Sequence, residues 1–134
     1  MPVGQSAVHA LEDPIDLRVH EGKGLGHTIK KHVGKTREYL QMRLDNGSGD
    51  AKSTFFTLEG ANAAVQRVLR AHADEVRAYA GLAEDQEALI LRAPAQAGEG
   101  WILTRDGATP DPTSVFVMVS KTRGRTFIAT AYLE

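Results

Sequence analysis

The chain has 134 residues, of which 42% are hydrophobic and 25% charged, and its net charge is −1; this is the size and balance of one globular domain able to bury a core. It has no cysteine, which excludes disulfides, thiolate nucleophiles and Cys-ligated zinc. No apolar run approaches the ~18 residues of a membrane span, and the first fifteen residues lack the basic and apolar regions of a signal peptide.

Residues 1–14 have mixed polarity, with Gly4 and Pro14 as breakers, so residues 1–15 are expected to be a linker or lead-in to a single domain over 16–134. Residues 15–20 alternate Ile15, Leu17 and Val19 with Asp16, Arg18 and His20, the pattern of a short strand or extended arm. Gly22, Gly24 and Gly26 follow as a flexible entry. Residues 27–33 suit one or two helical turns ended by Gly34. Thr36 is placed to cap a second helix over 37–44, with Leu40 and Leu44 on one side and Arg43 beside them. Asn46-Gly47-Ser48-Gly49 breaks the chain. Residues 53–56 read as a short strand or the lead into a helix.

Thr57 is placed to cap a helix from Leu58. Val65, Leu69, His72, Val76 and Tyr79 recur at spacings of three and four, the strongest helical signal in the chain, as one helix or as two with a bend near Ala73. Gly81 ends it. Residues 88–91 and 101–104 are short β-prone runs. Residues 114–120 have the pattern of a buried strand. Thr122-Arg123-Gly124-Arg125 reads as a tight turn into a last strand over 126–133. On that strand Ile128, Thr130 and Tyr132 should share one face, and Phe127, Ala129 and Ala131 the other. Helices first and antiparallel strands second make an α+β fold.

Charge is unevenly spread. Residues 20–43 hold six basic and two acidic side chains, 115–134 three and one, and 44–114 six and eleven. If the two ends meet in space they form a positive cleft on a near-neutral body; a chance scatter of solvated charges is the competing explanation. Residues 26–44 contain two of the five histidines and five of the sixteen Lys and Arg. Histidine changes charge near neutral pH, and clustered cations attract phosphate. This stretch therefore suits phosphodiester chemistry, with His32 transferring protons, Arg43 stabilising charge, and Lys31 and Lys35 binding substrate.

Other readings of the stretch fail. Gly34-Lys35-Thr36 resembles the end of a phosphate-binding P-loop, but position 29 is Ile29 where that loop needs glycine. Gly22, Gly24 and Gly26 lack the spacing of a dinucleotide fingerprint. His27 and His32 are five apart, roughly 140° around a helix, and are not a zinc pair. No carboxylate-rich cluster suggests magnesium or calcium, so neither metal nor cofactor is expected. Taken singly, His32 and Arg43 have ordinary explanations, a half-buried structural histidine and a cation lying over Leu40. So do Thr130 and Tyr132, which are good β-formers.

The combination is more specific. His32-Val33-Gly34-Lys35-Thr36, then Leu40 and Arg43-Leu44, resembles the N-terminal signature of the bacterial RNase A-like toxin domains. These are C-terminal modules of contact-dependent growth inhibition proteins and related polymorphic toxins. Gly26-His27-Thr28-Ile29, Ser53-Thr54-Phe55, the Ala-rich helix from Ala61 and the closing Thr130-Ala131-Tyr132 fit as well. The resemblance implies an RNase A-like fold without disulfides, with N-terminal helices packed on a curved antiparallel sheet. It implies His32, Arg43, Thr130 and Tyr132 as catalytic residues, with His27 a weaker candidate.

The function implied is a metal-independent toxin ribonuclease. It would be used in interbacterial competition and secreted or delivered as part of a larger effector to act in the target-cell cytoplasm. Its expected partners are RNA and a cognate immunity protein. An imidazole can take the proton of a ribose 2′-OH, and a guanidinium can fork onto the phosphate oxygens. The product would be a cyclic phosphate, and DNA would not be cut. No histidine follows His72, so the proton for the leaving oxygen would come from Tyr132 or His27. The competing function is a non-catalytic nucleic-acid or nucleotide-binding module, disfavoured by an aromatic content of 6%, low for base stacking.

Overall fold

The computed structural model describes residues 6–22, 24–82, 87–122 and 124–134. The chain begins with a 3-10 turn, Val8–Leu11, and a second, Leu17–His20. Two short helices follow, α1 (Thr28–His32) and α2 (Arg37–Asn46), then strand β1 (Ala51–Phe55). Helices α3 (Leu58–Ala71) and α4 (Ala73–Ala80) precede β2 (Leu89–Pro94), β3 (Gly100–Thr104), β4 (Ser114–Thr122) and β5 (Arg125–Leu133). The α+β expectation is met, with the strands divided between an antiparallel pair β1–β3 and a three-stranded antiparallel sheet in the order β2–β4–β5.

Local sequence explains most boundaries. Gly34, at φ +63°, turns the chain after α1 and donates its N–H to Phe55 O at 2.8 Å, tying α1 to β1. Thr36 caps α2 by accepting from Tyr39 N at 3.1 Å, and Thr57 caps α3 by accepting from Gly60 N at 3.0 Å, each satisfying an otherwise orphaned donor. The long periodic segment is two helices, parted at His72, whose φ of −120° and ψ of 36° leave the helical region. Its ring Nε2 donates to Arg92 O at 2.7 Å. Arg67 likewise donates to Pro94 O at 3.2 Å. Strand β2, which among the described residues pairs on one side only, thus has carbonyls engaged by Arg67 of α3 and by His72 and a proline without N–H, which blunts it as a template for further pairing.

Two expectations about the first twenty residues differ from the structure. From Ser6 onward the presumed lead-in is built into the body. Ala7 donates to Thr126 O at 3.0 Å, Gln66 donates to Ala10 O at 2.7 Å, and Ala7 and Ala10 are fully buried. Alanines carry little hydropathy signal, and their burial depends on partners more than 50 residues away. The alternating residues 15–20 form no strand: Asp16 accepts from Arg18 N at 3.0 Å and starts a 3-10 turn, which still buries Ile15 and Leu17. The turn into β5 includes Arg123, outside the described residues.

The core has two parts. A large cluster joins the N-terminal turn, α3, α4 and the inner face of the three-stranded sheet, including Ala7, Val65, Leu69, Val76, Val117 and Ile128. A small one holds Leu40 and Leu44 of α2 against Leu103 of β3, flanked by Tyr39 and Trp101. The two are joined where β1 passes β5, at a 2.7 Å hydrogen bond from Ser53 Oγ to Leu133 O.

Candidate active site

The site begins with an irregularity in β5. The β4–β5 register shifts between Met118 and Val119, which face Thr130 and Ile128, so Ala129 has no residue opposite it. Such a bulge re-aims the side chains that follow it. Ile128 consequently packs in the large core with Ala131 and Leu133, while Thr130 and Tyr132 face the cleft. This corrects the expected grouping of Ile128 with Thr130 and Tyr132, because strict alternation fails at the extra residue.

The bulge also docks the first helix. Ala129 O accepts from His27 N at 3.0 Å. The approach is close enough to require glycine before it: a Cβ on Gly26 would lie 2.0 Å from Ile128 O and 2.6 Å from Ala129 O. Gly26 N in turn donates to His20 O at 2.8 Å. His20 is fully buried and accepts from Ile128 N through Nδ1 at 3.0 Å. Its pKa is pushed down to about 4 by burial and then by Arg125, so it is a neutral structural acceptor rather than a reactive group.

A cleft of about 650 Å³ opens between these parts. It is lined by His27, Lys31 and His32 at and within α1, by Arg43 from α2, by Lys52 and Ser53 from β1, and by Thr130, Tyr132 and Glu134 at the C-terminal strand. Asp111 and Thr113 of the β3–β4 loop line it as well. The His32 and Tyr132 rings are 5.3 Å apart between centroids, and His27 is 6.2 Å from His32. Tyr132 stacks at 4.5 Å on Phe116, its partner in the β4–β5 ladder. Phe116 lies 5.0 Å below the guanidinium of Arg92, its partner on β2. Arg92 is paired with Glu134. A row across three strands therefore supports the tyrosine ring.

The electrostatics have one dominant sign at the α1 wall. His32 is only 7% exposed, and burial, then Arg43, His27 and Lys31, push its pKa down to about 3; a backbone hydrogen bond at Ser53 opposes them. His27 is lowered by burial, then by Lys31, with Glu21 opposing. The Lys52 ammonium is lowered by burial, then by Arg43, Lys31 and Arg105. Tyr132 is raised by burial and by Glu134, with Arg92 opposing, so the phenol holds its proton. His32 Nδ1, Arg43 NH1 and Thr130 Oγ1 are buried without a hydrogen-bond partner among the described residues. Unpaired buried polar atoms are costly, and three gathered in one cleft mark a place that a polar ligand would complete.

His27, Lys31, His32, Arg43, Thr130 and Tyr132 are thus brought to one cleft from sequence positions up to 105 apart. Lys35 lies outside the lining: its ammonium sits 5.1 Å over the Tyr39 ring, and its N–H is taken by Thr54 Oγ1 at 2.9 Å. The two basic ends do not meet as expected. Lys121 caps the end of α4 at Ala80 O and Arg125 donates to Val19 O. The C-terminal strand contributes hydroxyls and a carboxylate, while the third cation, Lys52, comes from the acidic middle of the chain. Lys52, Ser53, Asp111, Thr113 and Glu134 were not expected as site residues. Glu134 was within reach, since it follows Thr130 and Tyr132 at the same two-residue spacing. Among the described residues no group of three or more His, Asp or Glu could hold a metal ion, and no helix is long and apolar enough to cross a membrane.

The comparison with curated proteins returned no match. Among solved structures, the chain is similar to the crystal structure of a CdiA-CT/CdiI complex from Y. kristensenii. The TM-score is 0.69 at 20% identity, over 81% of this chain and 99% of that one. That likeness supports the fold. The model of the family described as the bacterial CdiA-CT RNAse A domain matches residues 26–132, from the glycine that docks on β5 to the tyrosine beside His32. The chain therefore belongs to the bacterial CdiA-CT RNAse A domain family, the ribonuclease toxins of CdiA-CT type.

Proposed function

We propose that the cleft cleaves RNA internally, without a metal, by transphosphorylation at the 2′-oxygen. The observation that carries this reading is the convergence of His32, Arg43, Thr130 and Tyr132 on one cleft, with three buried polar atoms there left unpaired. His32 takes the 2′-OH proton as the 2′-oxygen forms its bond to phosphorus. The P–O5′ bond breaks, and the leaving 5′-oxygen takes a proton from Tyr132 Oη, leaving a 2′,3′-cyclic phosphate. Arg43 and Thr130 donate to the non-bridging oxygens, whose negative charge grows in the transition state. His27, whose ring lies 6.2 Å from that of His32, is the second candidate donor.

A histidine held near 3 is neutral, as a base must be, yet weak. Burial depresses it most, and the charges of Arg43 and Lys31 add to this; those charges are what a phosphate would offset. Substrate binding therefore raises its basicity toward the range useful at neutral pH. The same reading makes the domain the toxic part of a larger secreted effector acting in the cytoplasm of a target cell. A cognate immunity protein is its partner, as suggested by the CdiA-CT/CdiI pairing of the similar structure.

The test is incubation of purified protein with RNA in EDTA. Cleavage to cyclic-phosphate ends is expected, with His32→Ala lowering the rate by about a hundredfold or more and Arg43→Ala by a similar factor. Tyr132→Phe should slow cleavage more than His27→Ala does. Intact RNA would leave only a nucleic-acid-binding module, and activity restored solely by added metal would overturn the mechanism.

A further inference from the structure

The cleft is larger than a phosphate requires and is chemically divided. About 650 Å³ is the scale of a site for a small organic ligand, within the usual ~300–1,000 Å³. Its lining cations are Lys31, Arg43 and Lys52. Asp111, Thr113 and Glu134 form a second group at its C-terminal end, held together by the hydrogen bonds from Thr113 to Glu134 O.

We propose that this second end is a base-recognition subsite that selects a nucleotide carrying an exocyclic amine, that is cytosine, adenine or guanine, over uracil. The proposal rests on the ribonuclease reading only for placing the phosphate. Thr130, Tyr132 and Glu134 follow one another at two-residue spacing on the cleft face of β5. Glu134 continues the ladder by exchanging 2.9 Å hydrogen bonds with Ser114. The Tyr132 ring lies 5.3 Å from that of His32, and Glu134 follows Tyr132 by two residues of strand, about 7 Å. A phosphate held beside His32 and Arg43 therefore leaves its nucleoside's base within reach of Glu134.

What waits there is acceptor-only chemistry. Arg92 and Ser114 Oγ both engage Glu134 Oε1, which fixes the carboxylate and leaves Oε2 without a hydrogen bond among the described residues. The Asp111 carboxylate makes none among them either. The loop carrying Asp111 is pinned beside Glu134, because Thr113 donates to Glu134 O from its N–H at 2.7 Å and from its hydroxyl at 3.2 Å. The hydroxyl proton is thus spent, and Thr113 Oγ1 too can only accept from a ligand. Amino groups and ring N–H donors satisfy such a set. Uracil presents one N–H flanked by two carbonyl oxygens, which two carboxylates would repel. Neither face of Tyr132 is open to a base, since one covers Phe116 and the other approaches His32, so recognition is by edge rather than by stacking on that ring.

Calorimetric titration of the intact chain with the four 3′-nucleoside monophosphates tests this without requiring turnover. The 3′-UMP complex should be weaker than the 3′-CMP, 3′-AMP and 3′-GMP complexes by about tenfold. Asp111→Asn, which replaces one acceptor oxygen with a donor on an exposed loop, and Glu134→Gln should each narrow that gap. Binding of 3′-UMP as tight as the others, or a gap unchanged in both variants, would overturn the subsite. Selective binding by a protein that leaves RNA intact would sink the ribonuclease reading and keep the subsite; RNA cleavage without nucleotide selectivity would do the reverse.

Discussion

The cleft lies between two bodies of unequal substance. On one side the large cluster ties the N-terminal turn, α3, α4 and three strands together, with Phe55 from the end of β1, and it carries Thr130, Tyr132 and the bulge that docks α1. On the other, α2 and the rest of the β1–β3 pair pack on Leu40, Leu44 and Leu103 with two flanking aromatics, and they carry Arg43 and Lys52. A two-stranded ribbon is marginal by itself. The hydroxyl and imidazole groups and Lys31 thus sit on the larger body, and Arg43 and Lys52 on the smaller one. Local opening is expected to start in the smaller body, so that side of the site should fail before the fold does.

The joint between α1 and β5 is the most sensitive place to break this arrangement. Gly26→Val puts a Cβ where Ile128 O and Ala129 O already lie. A shift of about 1 Å in His27 and His32 should lower RNA cleavage by on the order of a hundredfold, with helix content by circular dichroism showing the large body still folded. Leu103→Ala should sharpen the contrast between the two cores. Its removal of a fully buried side chain costs about 2–5 kcal/mol, and the loss should appear as hydrogen-exchange deprotection confined to β1, β3 and α2. Exchange rising equally in α3 and β4 would show that the two bodies are one cooperative unit.

A smaller effect concerns pH. His20 titrates near its usual 6.5 when unfolded and at about 4 when folded. Between those values the unfolded chain binds the extra proton, so stability is full above pH ~6.5 and falls as the pH drops toward 4. From pH 7 to 5 this single group contributes about 2 kcal/mol of loss. His32, depressed to about 3, acts in the same direction. His20→Gln keeps an acceptor for Ile128 N but cannot be protonated, so urea titrations at the two pH values should show a shallower decline than the unmutated chain. An equal slope would place the titration elsewhere.

Much of the local structure was legible in the residues themselves. Thr36 and Thr57 cap helices where hydroxyl side chains precede apolar periodicity, and Gly34 ends α1 because it tolerates positive φ. The 3.6-residue repeat located α3 and α4, a continuous apolar run located β4, and the turn after it located β5. The charge-bearing types at His32 and Arg43, together with their resemblance to a toxin family, pointed to phosphate chemistry. These are properties of short segments, set by dihedral preference and by side chains within one or two turns.

What those segments could not carry is whatever depends on a distant neighbour. Ala7 and Ala10 are core residues only because Thr126 and Gln66 hold them. Lys52 is a site cation only because β1 passes β5 at Ser53. Ile128 turns inward, and Thr130 with Tyr132 toward the cleft, because one unpaired residue at Ala129 resets the alternation that sequence periodicity assumes. Residue types alone determined that this protein had the means for general base and phosphate-binding chemistry. The tertiary structure decided which of those groups meet, since a bulge, a glycine contact and a strand crossing are relations between residues roughly a hundred positions apart, with no trace in the local pattern of either.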